Sequence, residues 1–409
     1  MSTLSDVVII GAGQAGLQIA ASLRQRGYDG VIRLLGDESS LPYQRPPLSK
    51  AFLKGTTDEE GVLLRPAAFF ETNRIEFISG TPVQNIDLGQ KHVLTASGQR
   101  IPFSKAAIAT GTRCRTLDTP GFNLAGVHTL RSIADAKFLH AEIANANSVV
   151  IVGGGFIGLE VAGCAIGLGK NVTVLEAGER LMARAIAPVT SQFFREFHTS
   201  IGVRVITNAK IARFQGDEHV RGVELADGSV VPADLVLVGV GALANDEVAR
   251  RSDLEASNGI IVNEFCTTSS HDVVAAGDCT IHPNRFANGL FRLESVQNAI
   301  DQAKIAAGTL MGDAIAYDTV PWFWSDQADV KLQTTGLPIN ANSFVVRGDP
   351  EAKKFSVFHL RWDGRVIAVD SVNSPADHMT ARKLVAAGVA PNPAQLADSS
   401  FDLKTLLHP

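Results

Sequence analysis

The strongest constraint on the fold is a glycine-rich turn between a buried strand and a helix, which occurs twice in the chain. Residues 7–16 read VVIIGAGQAG and residues 149–158 read VVIVGGGFIG. Each stretch opens with four apolar residues, the pattern of a strand buried on both faces of a parallel sheet. Two copies about 140 residues apart indicate a duplicated domain type, since solenoid repeats have periods of roughly 20–50 residues.

The three glycines of each G-x-G-x-x-G motif have separate physical uses. The first permits a tight turn, the second lets the backbone approach a pyrophosphate, and the third lets helix and strand pack closely. The phosphate then meets free N–H groups and the positive end of the helix dipole. The alternative, a tight turn without a ligand, is disfavoured by the strand–turn–helix context of both motifs. We predict nucleotide contacts at Gly11, Gly13 and Gly16 of the first motif and at Gly153, Gly155 and Gly158 of the second.

An acidic residue at the end of the second strand of such a unit accepts hydrogen bonds from the adenosine ribose. In the second unit this residue is Glu176, whose alternative role is a solvated strand end. Its charge would repel a 2′-phosphate, so we predict NADH rather than NADPH, although Arg180 and Arg184 follow closely. In the first unit Gly36 takes the position of the acid, and we expect the next residue, Asp37, near the ribose. Two such sites favour FAD together with a nicotinamide nucleotide, because a flavin takes up a hydride and releases single electrons.

Composition and charge exclude several other classes of protein. Of the 409 residues, 45% are apolar and 19% are charged, which is ordinary for a globular protein. A net charge of −5 argues against a broad basic surface for nucleic acid. The longest apolar stretches are interrupted by a glutamate or by several glycines before they reach the ~18 residues of a membrane span. The N-terminus has no basic region before its first strand, so we predict no secretory signal and expect a cytoplasmic protein.

The cysteines give no sign of a metal or dithiol site. None of the four lies in a C-x-x-C pair or at a metal-ligand spacing; they are Cys114, Cys164, Cys266 and Cys279. This pattern argues against a disulfide framework, a zinc site and a dithiol redox motif, and no metal is predicted.

The character of the chain changes near residue 320. Residues 321–327 read PWFWSDQ and contain two of the three tryptophans. Strand-like runs follow at 343–347, 355–360 and 366–369, and a short helical tail ends the chain. We predict a separate α+β domain at residues 320–409.

Together these segments resemble one family, the FAD-dependent, NADH-using ferredoxin reductases that serve cytochrome P450 and Rieske-type oxygenases. The chain is also similar to rubredoxin reductases. Besides the glycine motifs, the resemblance is carried by the segments 45–50 (RPPLSK), 109–111 (ATG), 153–160 (GGGFIGLE), 275–278 (AAGD), 294–299 (ESVQNA) and 321–327. The two glycine-rich turns are shared by a very broad superfamily, whereas PPLSK and WFWSDQ are far more specific.

The resemblance implies an α/β fold of glutathione-reductase type. It consists of two Rossmann-like dinucleotide-binding domains and a C-terminal α+β interface domain. The implied ranges are 1–111 and 240–319 for the FAD-binding domain, 112–239 for the NAD-binding domain and 320–409 for the interface domain.

The resemblance also implies cofactor contacts for individual residues. Asp278 is expected to hydrogen-bond the ribityl chain of the flavin, although alone it would be interpreted as a helix cap. Val296 is expected near the flavin ring, and its alternative is a core valine. Further cofactor contacts are implied for Ala15, for Arg131 and, through its backbone, for Val83.

The resemblance places Lys50 and Glu160 beside flavin N5, where they bridge the two nucleotide domains. A cation there would favour the anionic reduced flavin, and Glu160 would keep Lys50 oriented. From the residues alone, Lys50 is a solvated lysine of a proline-rich loop. Glu160 gains roughly 0.3–1 kcal/mol from its place near the start of a helix.

The implied function is an NADH-dependent flavoprotein ferredoxin reductase that passes single electrons from FAD to a 2Fe–2S ferredoxin, which serves a cytochrome P450 or another oxygenase. Thiol chemistry is disfavoured, because residues 39–44 (SSLPYQ) lack the cysteine that NADH peroxidases of the same superfamily carry there. Two alternatives stay open. One is a sibling reductase for rubredoxin, a quinone or oxygen, and the other is a redox-sensing protein that binds FAD and NADH.

An acidic ferredoxin requires a local basic patch for attraction, because the chain itself is net negative. The resemblance places Arg65, Arg292 and Lys304 near the exposed flavin edge as docking residues. Trp324 is the candidate aromatic anchor, and its alternative is a core tryptophan of the C-terminal domain. Neither nucleic acid nor a membrane is expected as a partner.

Overall fold

The computed structural model describes residues 5–313 and 315–407, and contacts group the chain into two compact units. The first unit comprises residues up to Gln44, Glu59–Arg113 and Ala242–Pro321, and the second comprises Arg45–Asp58, Cys114–Gly241 and the chain from Trp322 onward. The predicted ranges assign residues 45–58 to the FAD-binding domain, whereas their contacts group them with the second unit. The side chains that hold this segment, described below, explain the grouping.

The first unit is built on a five-stranded parallel sheet. In spatial order its strands are Val273–Ala275, Lys105–Ile108, Asp6–Ile10, Val31–Leu35 and Ile75–Ile78. The strand Asp6–Ile10 is central, and its apolar residues are buried because the sheet is covered on both faces. The helix Gln14–Gln25 follows this strand directly after the glycine turn, as the motif predicts.

The other elements of the first unit surround this sheet. The helices are Ala67–Thr72, Glu247–Arg250 and Val296–Leu310. Two small sheets are formed by Val83–Asp87, His92–Thr95 and Arg100–Pro102, and by Ile260–Ile261, Thr280–Asn284 and Gly289–Phe291. The strands Thr112–Cys114 and Ala242–Ala244 pair with each other where the chain passes from one unit to the other.

The second unit repeats the same architecture around another five-stranded parallel sheet. In spatial order its strands are Arg204–Ile206, Asn171–Leu175, Ser148–Val152, Leu235–Val238 and Val127–His128. Its helices are Ile133–Asn145, Phe156–Gly167 and Pro188–Ser200, and the 3-10 helix Pro46–Ser49 joins them. An antiparallel sheet of Ile211–Gly216, Val220–Leu225 and Val230–Pro232 contributes buried residues to the hydrophobic core of this unit.

The C-terminal part of the second unit is an antiparallel sheet with helices. In spatial order the strands are Trp322–Gln327, Val330–Gly336, Val366–Val372, Lys354–Leu360 and Ser343–Asp349. The helices are Pro375–Ala387 and Pro393–Ala397, followed by the 3-10 helix Leu403–Leu407. The nearly buried Arg347 holds the tail by donating hydrogen bonds to several of its carbonyl groups.

A buried aspartate connects this sheet to the helix Pro188–Ser200. One carboxylate oxygen of Asp370 accepts hydrogen bonds from the N–H of Ala187, 2.8 Å away, and from the hydroxyl of Thr190, 2.9 Å away. The other oxygen lies 3.0 Å from Nε2 of His359. Because the helix has no side-chain cap of its own, Asp370 supplies from another segment the anionic acceptor that a helix N-terminus favours.

Among the residues described, no helix is long and apolar enough to cross a membrane.

Candidate nucleotide sites and active site

Packing within the protein explains the first and third glycines of each motif. A Cβ atom on Gly11, whose φ is +105°, would lie 2.3 Å from the carbonyl oxygen of Ala109. A Cβ on Gly16 would lie 1.9 Å from the carbonyl oxygen of Gly11. The corresponding atoms on Gly153 and Gly158 would lie 2.3 and 2.2 Å from a carbonyl oxygen. These four positions therefore require glycine whether or not a nucleotide is bound.

Packing does not explain the second glycine of either motif. A Cβ on Gly13 or on Gly155 would meet no atom within 4 Å. Their φ angles, −81° and −83°, are open to any residue. Both are N-cap residues of helices that lack a side-chain cap, so backbone N–H groups of the first turn remain available to a ligand. Space that only a glycine leaves open in front of these N–H groups fits the close approach of a dinucleotide pyrophosphate.

A steric rule explains why the acidic residue differs between the two units. A Cβ on Gly154 would lie 3.2 Å from the Cβ of Glu176, and a Cβ on Gly36 would lie 3.0 Å from the Cβ of Ala12. The second residue of the turn and the residue at the strand end are thus so close that only one of them has room for a side chain. In the second unit this is Glu176, opposite Gly154. In the first unit Ala12 takes this space, and the predicted ribose acid, Asp37, is the next residue after Gly36 and is exposed.

Glu176 is held by the backbone on both sides. Its two carboxylate oxygens accept hydrogen bonds from the N–H groups of Gly154 and Gly178, each at 2.7 Å. A solvated strand end would not have this geometry, and each oxygen keeps a second lone pair for a ribose hydroxyl. Arg180 is occupied by carbonyl groups of its own loop, whereas Arg184 is exposed.

The structure brings Lys50 and Glu160 together. Nζ of Lys50 lies 2.6 Å from Oε2 of Glu160, whose side chain is 4% exposed, whereas that of Lys50 is 20% exposed. Two hydroxyl groups donate further hydrogen bonds to this carboxylate. Ser49 Oγ donates to Oε2 at 2.5 Å, and Ser325 Oγ donates to Oε1 at 2.6 Å. The charge of Lys50 is therefore balanced from the buried side while part of its side chain remains accessible.

The sequence did not identify Ser49 and Ser325 as site residues. A signal for them did exist, because they belong to PPLSK and WFWSDQ, the two most specific segments. A serine hydroxyl in a loop or strand carries no chemistry of its own that would single it out. Their role depends on a carboxylate that lies 111 and 165 residues away in sequence, respectively.

The cysteine thiols are protonated; Cys164, Cys266 and Cys279 are buried and Cys114 is half-buried. Burial raises the pKa of the Cys164 thiol to about 11 and that of Cys266 to about 12. It also raises the pKa of Cys114 and Cys279. Cys164 lies beside the ion pair and donates to the carbonyl oxygen of Ser49 at 3.2 Å. Because the thiolate is the reactive form, these thiols are not poised for redox chemistry.

The predicted FAD contacts of the first unit gather around the first glycine turn. A Cβ on Gly277 would lie 3.1 Å from the Cβ of Ala15, so the segment that carries Asp278 packs against the helix that follows the motif. The next element after Asp278 is the strand Thr280–Asn284, so its alternative role as a helix cap is wrong. Val296 begins the helix Val296–Leu310 and is partly exposed, unlike a core valine.

Two further predicted contacts lie at different places. Val83 begins the strand Val83–Asp87, and the N–H of the nearby Thr81 donates to the carbonyl oxygen of Gly36 at 2.7 Å. This bond brings the Val83 segment close to Asp37. Arg131 belongs to the second unit, where its carbonyl oxygen accepts a hydrogen bond from Arg45 at 2.7 Å.

The predicted docking cations differ in exposure. Arg65 and Lys304 are exposed, and the ion pair that Lys304 makes within the described part of the chain is a long one, 3.4 Å to Asp301. The side chain of Arg292 is 11% exposed, and its guanidinium lies 2.6 Å from the carboxylate of Glu294. Little of the Arg292 charge is therefore accessible to a partner.

Trp324 is neither a core residue nor a fully exposed one. The strand Trp322–Gln327 alternates, so that Ser325 and Gln327 are buried while Trp322 and Trp324 form a half-buried pair with ring centroids 5.6 Å apart. The guanidinium of Arg382 lies 5.1 Å from the ring of Trp322. The half-exposed face thus combines two indoles with a cation.

Residues 5–303 match the family described as pyridine nucleotide-disulphide oxidoreductase, and residues 322–407 match the domain described as reductase C-terminal. The chain belongs to this family. It is 45% identical to rhodocoxin reductase of Rhodococcus erythropolis over 98% of this chain and 93% of that protein.

Two crystal structures share the fold over nearly the whole chain. The ferredoxin reductase for the CYP199A2 system from Rhodopseudomonas palustris matches with a TM-score of 0.95 and 42% identity, covering 98% of this chain and 99% of that one. The covalent putidaredoxin reductase–putidaredoxin complex matches with a TM-score of 0.95 and 35% identity, covering 98% of each chain. The predicted family, the glutathione-reductase-type fold and an FAD-dependent oxidoreductase that uses NADH are confirmed.

The open space at the second glycines predicts separable losses of the two nucleotides. We expect Gly13→Ala to lower the FAD content of the purified protein, because the new methyl group occupies the pyrophosphate position. We expect Gly155→Ala to keep FAD and to weaken NAD⁺ binding by about tenfold or more, the effect of roughly 1.4 kcal/mol of lost contact. Flavin absorbance per chain and titration with NAD⁺ measure the two effects. Gly167→Ala also adds a methyl group in open space and is the control; full retention of both nucleotides in the motif variants would contradict the assignment.

The fixed carboxylate of Glu176 predicts the choice between NADH and NADPH. We expect Glu176→Arg to relax or invert the preference for NADH, because repulsion of the 2′-phosphate becomes attraction. Glu176→Gln removes only the charge and should give a smaller change. The ratio of flavin reduction rates with NADH and NADPH measures the preference, and the exposed neighbour Glu179→Gln is the matched control. A wild-type protein that uses NADPH as well as NADH would show that Glu176 does not select the nucleotide.

Proposed function

We propose that this protein is an NADH-dependent ferredoxin reductase whose 2Fe–2S ferredoxin serves a cytochrome P450 or another oxygenase. The observation that carries the proposal is the similarity over 98% of the chain to a ferredoxin reductase for a CYP199A2 system and to a putidaredoxin reductase bound to putidaredoxin. The two dinucleotide folds of one chain support it, because they supply a site for FAD and a site for NADH. The protonated, buried thiols support it as well, since they leave the flavin as the group from which electrons depart.

Bound FAD supplies the conversion between a two-electron hydride and single electrons. The residues of the chain bind and orient the nucleotides for this conversion. The glycine turns direct backbone N–H groups to the pyrophosphates, and Glu176 receives the ribose of NADH. We propose that Lys50 supplies a fixed positive charge that stabilises the negative charge developing during hydride transfer. Glu160 holds that charge in place, because its buried carboxylate fixes the ammonium group at 2.6 Å.

The acceptor distinguishes the proposal from its alternatives. We expect steady-state turnover with NADH to reduce an acidic 2Fe–2S ferredoxin much faster than a rubredoxin or a quinone. The readout is the absorbance change of the iron–sulfur protein under anaerobic conditions. A protein that reduces its flavin with NADH but reduces none of these acceptors would instead be the redox-sensing alternative, and preferential reduction of rubredoxin would favour the sibling reductase.

The exposed cations predict a salt-sensitive encounter. We expect ferredoxin reduction to slow steeply as ionic strength rises, because steering between a local basic patch and an acidic partner is screened. Lys304→Glu should mimic high salt, whereas Arg292→Glu should act mainly on stability, since Arg292 is bound to Glu294. Lys210→Glu makes the same charge change at another exposed lysine and is the control. Ferricyanide reduction should vary much less with salt; equal salt dependence for both acceptors would place the docking patch elsewhere.

The ion pair predicts a loss in the step that uses NADH. We expect Lys50→Met to slow anaerobic flavin reduction by about tenfold or more while FAD content stays normal, because the fixed charge is removed and Glu160 remains buried. Rapid mixing with NADH in the absence of ferredoxin measures this step alone. Lys54→Met changes an exposed lysine of the same segment and is the matched control. A wild-type reduction rate in Lys50→Met would reduce the pair to a structural role.

A further inference from the structure

We infer that Ser325, on the first strand of the C-terminal domain, is a positioning residue for the Lys50–Glu160 pair in the reaction with NADH. This inference rests on the function proposed above for that pair. It assigns to the C-terminal domain a part in the reduction of the flavin, in addition to any part in partner docking.

The two carboxylate oxygens of Glu160 are not equally supported. Oε2 has two donors, the ammonium group of Lys50 at 2.6 Å and the hydroxyl of Ser49 at 2.5 Å. Oε1 has one donor among the described residues, the hydroxyl of Ser325 at 2.6 Å. Without that hydroxyl, a buried anionic oxygen would have no partner, and the carboxyl group would turn away or take up a proton. Either change releases the ammonium group of Lys50.

A second set of buried groups fixes the direction of the Ser325 hydroxyl. Nε2 of Gln327 donates to Ser325 Oγ at 3.3 Å, and Oε1 of Gln327 lies 2.9 Å from Nε2 of His198. Burial lowers the pKa of His198, so its ring is neutral at neutral pH and Nε2–H donates to the amide oxygen. The amide NH₂ then faces Ser325. Because a serine hydroxyl has a single hydrogen, that hydrogen is left for Glu160.

This set of groups orients the carboxylate and does not conduct protons. It ends at His198, which is fully buried and whose Nδ1 has no partner among the residues described. Because His198 is fully buried, this set of groups ends inside the protein and does not reach the surface. The remaining role for the hydroxyl is to hold the carboxylate and, through it, the ammonium group.

The backbone places Ser325 at this distance. A Cβ on Gly163 would lie 3.1 Å from the backbone nitrogen of Ala328, so this glycine lets the hairpin after the first strand approach the helix that carries Glu160. On the same face of the strand, the ring of Phe323 lies 4.7 Å from that of Phe156 on this helix. Contacts on both sides of Ser325 therefore fix the strand against the helix, which is the condition for a short, directed hydrogen bond.

The inference is tested by comparing Ser325→Ala, Ser325→Thr and Ser49→Ala as FAD-loaded full-length proteins. Anaerobic rapid mixing with NADH gives the limiting rate of flavin reduction and the apparent Kd for NADH. We expect Ser325→Ala to lower the limiting rate by about tenfold with little change in Kd, because the loss falls on orientation of the charge. Ser49→Ala should lower the limiting rate by less, since Oε2 of Glu160 still has the ammonium group of Lys50 as a partner. Ser325→Thr should restore most of the rate because it keeps the hydroxyl.

The control is Asp326→Asn, which changes the neighbouring residue on the opposite face of the same strand and should match wild type. A readout independent of activity is the thermal midpoint of Ser325→Ala, Glu160→Gln and the double variant. We expect the thermal midpoint of the double variant to fall by less than the sum of the decreases in the two single variants, as for groups in direct contact. If Ser325→Ala fails to retain FAD, Ser325→Cys takes its place, and an intermediate rate is expected because a thiol is a weaker donor.

The outcomes separate this inference from the proposal beneath it. A wild-type rate in Lys50→Met would refute the role of the ion pair. A slow Lys50→Met together with a wild-type rate in the Ser325 variant would refute only the inference about Ser325. A slow Ser325→Ala with additive thermal losses, or with no recovery in Ser325→Thr, would show that Ser325 acts by another route and would also overturn it.

Discussion

The buried carboxylate of Glu160 is the constraint around which the second unit is arranged. A carboxylate that is 4% exposed stays charged only if donors and a countercharge accompany it into the interior. Lys50, Ser49 and Ser325 supply them from segments that are far apart in the chain. Removal of one partner from a buried pair of this kind typically costs about 3–5 kcal/mol. The same interaction therefore organises the fold and directs a positive charge toward an accessible surface.

This requirement also explains why residues 45–58 belong with the second unit. Besides the ion pair, the carbonyl oxygen of Leu53 lies 2.9 Å from Nδ1 of His140, and that of Ser49 accepts from Cys164. The C-terminal sheet is fixed to the same unit through Ser325 and through Asp370, which caps the helix Pro188–Ser200. Polar groups buried at these junctions define one arrangement of the segments, because any other would leave them without partners.

The two nucleotide motifs show how one local design accepts different residues. In both, the first and third glycines are required by close backbone contacts, and the second leaves space for a ligand. The space between the strand end and the turn holds one side chain. In one unit it is that of Glu176 at the strand end, and in the other it is that of Ala12 in the turn. This exchange of volume gives a reason why the acid predicted for the first unit, Asp37, comes one residue later than the strand end.

The sequence by itself determined the local units and the family of this protein. The buried strands, both glycine turns and an α+β C-terminal domain follow from local patterns of a few neighbouring residues. The antiparallel pairing of the C-terminal strands came from the structure. The role of Lys50 and Glu160 came only from the resemblance to a family, because neither residue is distinctive alone. Tertiary structure alone decided the burial of Arg292, the half-buried state of Trp324 and the bond of Ser325 to a carboxylate 165 residues away. Such contacts depend on which segments the fold brings together, and no local pattern records that.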